Sequence, residues 1–293
     1  MPDLRALLPD LGRRTLVMGV LNVTPDSFSD GGRYDDPVRA VDRARAMRDE
    51  GADLIDVGGE STRPGARPVS ADEEMRRVLP VIERLASTPF VPISLDTTKS
   101  VVARAGAQAG ATLINDVSAG TLDADMLPVV AAAGLPVCLM HLPVRPQEMG
   151  WSSAAASFTN DDGEDDAFLA SVAAFLSARA KAARAAGISE TNIVLDPGFG
   201  FGKSAAQNLL LLRRLGDLRA RIGGPFAWLV GTSRKSTLAR VLGPEADARD
   251  PERLAGTAAT VAFAVAGGAH IVRVHEVGFL ARVARMSDAV CRA

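Results

Sequence analysis

The sequence predicts a single (β/α)8 (TIM) barrel, on three observations. Eight short apolar runs rich in β-branched residues recur along the 293 residues. Longer Ala/Leu/Arg stretches with amphipathic helical spacing alternate with them, the signature of parallel βαβ units. No Pro/Gly/Ser linker divides the chain, so one domain spanning 1–293 is expected. A doubly wound sheet ranks lower, because no GxGxxG follows the first run.

In order, the expected strands are Leu16 to Leu21, Leu54 to Val57, Val91 to Leu95, Thr112 to Ile114, Val137 to Met140, Ile193 to Leu195, Trp228 to Val230 and Ile271 to Val274. The expected helices are Pro37 to Glu50, Asp72 to Ala86, Ser100 to Ala109, Asp125 to Ala133, Asp166 to Ala186, Gln207 to Leu215, Ser236 to Leu242 and Pro251 to Ala266. Gly51, Gly110, Gly134, Gly187 and Gly267 stand where left-handed helix stops belong. Residues 23–32 and 58–65, rich in Gly, Pro, Ser and Asp, predict long mobile loops after the first two strands, covers able to exclude water. The polar, acidic stretch Ser152 to Asp166 reads as a surface loop.

Composition narrows the function classes. Thirty-three Lys+Arg against thirty-five Asp+Glu give a net charge of -2, so no global field draws the chain to nucleic acid or anionic lipid. Cys138 and Cys291, the only cysteines, suit a reducing compartment and make no disulfide framework. No apolar run reaches the roughly 18 residues of a membrane span. The opening residues lack the order of a signal peptide, and a cytoplasmic protein is expected.

In such a barrel, chemistry sits where strands hand over to the following loops. Those positions are unusually polar here: Asn22, Glu60 to Arg63, Asp96, Asn115 with Asp116, His141, Asp196, Ser233 to Lys235, Arg273 and His275. Asp96, Asn115 and Asp196 combine carboxylates with an amide, the donor and acceptor set that reads a pterin- or purine-like ring. A single Asp there would often be a helix N-cap, and Asp96 before Thr97 and Thr98 fits that too. Only four lysines occur, at 99, 181, 203 and 235, in a chain that otherwise uses Arg. Lys203 and Lys235 therefore point to compact ammonium donors rather than solvated charge, whereas Lys99 stands near a helix start. Arg273 and His275 share one side of the last strand beside Asn22 on the first, an anion or phosphate pocket.

Residues 196–204, DPGFGFGKS, miss the phosphate loop pattern GxxxxGKS because Pro197 stands at its first glycine. Its glycines would let backbone approach a flat ligand, with Phe199 or Phe201 to stack on it. A zinc site at His141 and His275 is disfavoured by the lack of a ligand set, and His270 reads as packing.

Taken together, MGVLNVTPDSFSDGG at 18–32, GADLIDVGGESTRPGA at 51–66, DTTKS at 96–100, INDVS at 114–118, LDPGFGFGKS at 195–204, SRKS at 233–236 and RVHEV at 273–277 closely resemble the dihydropteroate synthase family over about residues 16–280. The resemblance implies transfer of 6-hydroxymethyl-7,8-dihydropterin from its diphosphate to 4-aminobenzoate with Mg2+, a step of folate synthesis. It implies a pterin site at Asp96, Asn115, Asp196 and Lys235 lined by Met140 and Phe201. It also implies a diphosphate pocket of Asn22, Arg273 and His275, with Asn22 on the metal. Thr62, Arg63, Pro64, Phe28 and Ser233 would hold aminobenzoate, where sulfonamides compete, and Asp30 with Phe28 would stabilise a cation formed before amine attack. A homodimer through outer helices is implied as well. After His141 the chain departs from the family, reading LPVRPQEMGWSSAAASFTNDDGEDD in place of a shorter Gly/Thr/Pro loop.

Two other classes remain open at this point. A methyltetrahydrofolate-binding domain of a corrinoid methyltransferase shares the barrel and paired carboxylates, but has no diphosphate to hold with Lys235, Arg273 and His275. A catalytically silent paralogue would keep every site residue and bind pterin only.

Overall fold

In the computed structural model, the structure describes residues 3–24, 37–61, 68–143, 162–243 and 251–292. Eight parallel strands close a barrel in sequential order: β1 (Leu16–Asn22), β2 (Leu54–Gly58), β3 (Ile93–Asp96), β4 (Leu113–Asp116), β5 (Val137–Met140), β6 (Ile193–Asp196), β7 (Ala227–Val230) and β8 (Ile271–Val274). Closure is by β1 on β8, with Leu16 opposite Ile271 and Met18 opposite Arg273. The helices are α1 (Leu4–Leu7), α2 (Pro37–Asp49), α3 (Ala71–Ala86), α4 (Ser100–Ala109), α5 (Met126–Ala133), α6 (Asp162–Ala185), α7 (Ala205–Arg213), α8 (Leu215–Ile222), α9 (Ser236–Leu242), α10 (Pro251–Ala266) and α11 (Val277–Cys291).

Nearly every strand is buried on both faces, which is why the runs read as continuous rather than alternating. One set of alternate residues, including Val17, Ile55, Leu95, Ile114, Leu139, Leu195, Val230 and Val272, packs outward against the helices. The other set points into the barrel. Its lower part is an apolar floor of Leu16, Met18, Leu54, Leu113, Cys138, Val194, Leu229 and Ile271. Leu4 and Leu8 of the N-terminal segment plug it from below, anchored by Leu4 N–H donating to Asn192 at 2.8 Å. The chain ends meet where Asp288 of α11 accepts from Thr15 N and Oγ1 at 2.6 and 2.9 Å, just before β1.

Several expectations change. The acidic stretch before residue 166 is a loop only in part, because α6 begins at Asp162. Acidic residues favour a helix N-terminus, and Asp165 and Asp166 pair with Arg213, Arg214 and Arg221. The expected helix to Leu215 breaks at Arg214 into α7 and α8. α1, α8 and α11 were not among the expected helices. α11 was legible in the spacing of buried Val277, Leu280, Ala284 and Asp288. The expected mobile loops fall largely on residues 25–36 and 62–67, outside the described residues. Among the described residues no helix is long and apolar enough to cross a membrane.

Candidate active site

Two residues above the floor, the same inward-facing positions turn polar. The register places Val20 opposite Asp56, Asp56 opposite Ser94, Gly58 opposite Asp96, and Asp96 opposite Asn115. Asp56 is fully buried and accepts from Ser94 Oγ at 2.5 Å, Asn115 Nδ2 at 3.0 Å and Arg273 Nε at 2.6 Å. Arg273 Nη2 donates to Asp96 Oδ2 at 2.9 Å. Thus Arg273, expected beside the diphosphate, here joins two carboxylates of the ring-reading layer. A guanidinium carries five N–H donors, of which these bonds use two.

This layer holds more negative charge than Arg273 balances. Burial pushes the Asp96 carboxyl up to about 7 against the pull of Arg273, and neighbouring Asp56 and Glu74 push the same way. Across the barrel, burial pushes Asp196 up to about 6, opposed by the Gly198 N–H bond at 2.7 Å and by Lys235 and Lys203. Such shifted carboxyls in a barrel mouth mark a functional site.

On the Asp196 side, the 197–203 turn folds on itself. Lys203 Nζ donates to three carbonyls, Gly198 at 2.8 Å and Phe201 and His141 at 3.1 Å each. Its burial holds the pKa down to about 7, so Lys203 staples this turn rather than standing as a solvated charge. The glycines also make that folding possible. A Cβ on Gly198 would lie 2.1 Å from His141 O, and one on Gly200 2.7 Å from Lys235 Cδ. Both have positive φ, of 72° and 82°. Phe199 is not available to stack, being 1% exposed in the outer core. Phe201 joins Val117, Met140 and Leu142 in an apolar wall, and Lys235 Nζ sits 3.6 Å from its ring centroid.

At the rim, His275 Nδ1 lies 3.0 Å from Ser233 Oγ, so two residues assigned to neighbouring substrates touch. Ser233 also donates to Glu276, which pairs with Arg234 at a positive φ of 60°. Asn22 ends β1 and is partly exposed. His270 is structural: Trp228 N–H donates to its Nδ1 at 3.0 Å, and burial lowers its pKa to about 4. Burial likewise lowers His141 to about 3, keeping it neutral against the edge of Phe175. Phe28, Asp30, Thr62, Arg63 and Pro64 lie outside the described residues.

Asp56 is the residue that reading strand ends missed. It lies mid-strand within LIDVG, and an acidic residue inside a run otherwise buried on both faces was the available signal.

A barrel with a buried, carboxylate-rich layer under a basic rim is the architecture of a pterin-binding enzyme. The family model described as pterin binding enzyme matches residues 18–275. The dihydropteroate synthase of Synechocystis is 45% identical over 97% of this chain and 92% of its own length. A crystal structure of dihydropteroate synthase from Clostridium difficile, determined in the presence of pteroic acid, superposes with a TM-score of 0.84 at 41% identity. It covers 97% of this chain and 99% of that one. The Yersinia pestis enzyme in complex with a sulfonamide drug gives 0.84 at 40% identity over 96% of each chain. The chain belongs to the dihydropteroate synthase family.

Proposed function

We propose that this chain is a transferase that joins the 7,8-dihydropterin-6-ylmethyl group of its diphosphate ester to 4-aminobenzoate, giving 7,8-dihydropteroate and diphosphate. The observation that carries the reading is the layer of Asp96, Asn115 and Asp196, tied by Arg273 to Asp96, with Lys235 beside Phe201 and His275 at the rim. Carboxylates accept the ring N–H and amino donors of the pterin, while Lys235 and Phe201 bound its flat face. The C–O bond to the diphosphate breaks, and its electron pair leaves with the anion toward Arg273, His275 and Asn22. Cationic character left on the dihydropterin lies beside carboxylates that are costly to bury ionised, so each offsets the other. The aminobenzoate nitrogen, neutral at pH 7, attacks the carbon and sheds its proton without a dedicated base. By resemblance, Thr62, Arg63, Pro64 and Ser233 hold this substrate, with Phe28 and Asp30 at the cation.

Among the described residues no group of three or more His, Cys, Asp or Glu could cage a metal. A lone amide oxygen at Asn22 fits Mg2+, which is held by one or two protein oxygens plus phosphates and water. Bound there, it would neutralise charge on the departing diphosphate. Sulfonamides compete for the aminobenzoate site, and the protein works in the cytoplasm. Exposed Phe263 on α10 and Phe279, Met286 and Val290 on α11 form an apolar outer face that supports pairing of two copies through these helices.

The test supplies purified protein with dihydropterin diphosphate and Mg2+, with and without 4-aminobenzoate. Diphosphate release that depends on aminobenzoate, with dihydropteroate in equal amount, is expected. Pterin binding without release would make the chain a silent paralogue.

A further inference from the structure

Behind Phe201 and Lys235 lies a buried amide that the reaction above does not use. Asn208, in the first turn of α7, is 1% exposed and bonds through both ends of its amide. Its Oδ1 accepts from Gly200 N–H at 2.6 Å. Its Nδ2 donates to Ser204 O at 2.9 Å and to Thr237 Oγ1 at 3.0 Å, with a longer bond to Lys203 O at 3.3 Å. A primary amide both gives and takes, so one buried side chain can join a backbone N–H to a hydroxyl from another part of the chain. An apolar residue in its place would leave the Gly200 N–H without its acceptor. The capping box of Ser204 and Gln207 fixes where α7 starts, and with it the position of Asn208.

The two ends of this bridge lead to the two side chains that bound the flat face of the pterin. Gly200 immediately precedes Phe201, and its backbone lies against the stem of Lys235, where a Cβ would come 2.7 Å from Cδ and 3.0 Å from Cγ. Thr237, 2% exposed, stands two residues past Lys235 in the first turn of α9. Phe201 follows β6 and Lys235 follows β7, yet the Lys235 ammonium sits 3.6 Å from the centroid of the Phe201 ring. That contact depends on how the two loops are set against each other. Asn208 holds one loop by its carbonyl oxygen and the start of α9 by its nitrogen. The same turn also carries the Gly198 N–H that bonds Asp196 at 2.7 Å, so its placement reaches a ring acceptor as well.

We propose that Asn208, acting through Gly200 and Thr237, is a positioning residue for the pterin ring, setting the spacing between Phe201 and Lys235. This rests on the reading that these two side chains bound the ring. Lys203 closes the turn from within, and Asn208 docks the closed turn on α9.

The experiment measures the affinity for 6-hydroxymethylpterin by calorimetry in Asn208→Ala, Thr237→Val and Thr237→Ser, and repeats Thr237→Val in a Phe201→Leu background. Thr237→Val keeps the shape of the side chain and leaves Asn208 Nδ2 its two carbonyls, so it folds and decides the question even where Asn208→Ala, which strands the Gly200 N–H, does not. Loss of the bridging bond is expected to weaken pterin binding about tenfold in Thr237→Val, while Thr237→Ser, which keeps the hydroxyl, stays within about twofold. In the Phe201→Leu background the ring that Lys235 faces is already gone, and Thr237→Val is expected to add less than about twofold. A merely structural hydroxyl would give the same loss in both backgrounds. That result, or an unchanged affinity in Thr237→Val, would overturn the positioning role and leave the synthase reading intact. Failure of the unaltered chain to bind the pterin overturns both proposals.

Discussion

The floor and the upper layer of the barrel interior are built by the same strands, two residues apart, and differ completely in chemistry. Leu54 lies in the apolar floor, and Asp56, on the same face of β2, carries three hydrogen bonds. Leu113 and Asn115 on β4, Val194 and Asp196 on β6, and Ile271 and Arg273 on β8 repeat the contrast. Burying a floor side chain contributes roughly 1.5–3 kcal/mol without directional demands. The upper layer gains little from burial, since its charges lose water and recover it only through exact partners. The apolar floor supplies burial, and the upper layer supplies directed polar groups, with Asp56 holding three of them.

Substitutions one pleat apart test that division. Asp56→Ala strips Arg273, Ser94 and Asn115 of a shared acceptor, and a loss of about 3–5 kcal/mol in urea unfolding is expected. Leu54→Ala is expected to cost somewhat less, about 3 kcal/mol for the cavity, while pterin affinity in the surviving fold is unchanged. A matching loss of affinity there would show that floor and layer are not separable. Asp96→Asn reverses the pattern. It removes the surplus negative charge beside the Asp56–Arg273 pair, so Tm rises while pterin affinity falls by about tenfold to a hundredfold. A lowered Tm would mean that the Asp96–Arg273 bond outweighs burial.

The smallest effect is on pH dependence. Burial holds the folded Asp96 carboxyl near 7, above its ordinary 3.8. Its contribution to stability is therefore fullest below pH 3.8 and is lost as pH rises through 7. His141 and His270 act oppositely, because burial lowers them to about 3 and 4 from 6.5, so their contribution is lost as pH falls below 6.5. The Tm difference between Asp96→Asn and the unaltered chain cancels the histidines. It should be smallest below about pH 4, widen through pH 5 and 6, and level off above about pH 7. A difference that stays flat would place the Asp96 proton elsewhere.

Residue spacing alone made the barrel legible, because each strand is a short local run and several helix ends carry their own glycine or cap, as Gly110, Gly134 and Ser204 do. The expected strands agree with those observed to within two residues at each end, as β5 and β8 illustrate. Candidate site residues were legible where polarity interrupts an apolar strand end, as at Asp96, Asn115 and Asp196, each buried at the end of its strand. Glycines 198 and 200 were recognised, but not what they approach, since His141 and Lys235 come to them from other parts of the chain. The sequence by itself determined the fold class, the family and the strand-end residues, all of which depend on local order along the chain. Only the tertiary structure decided that Arg273 lies between Asp56 and Asp96, and that Asn208 ties Gly200 to Thr237. Pairings across 177 or 217 residues are set by barrel closure and register, which no local pattern encodes.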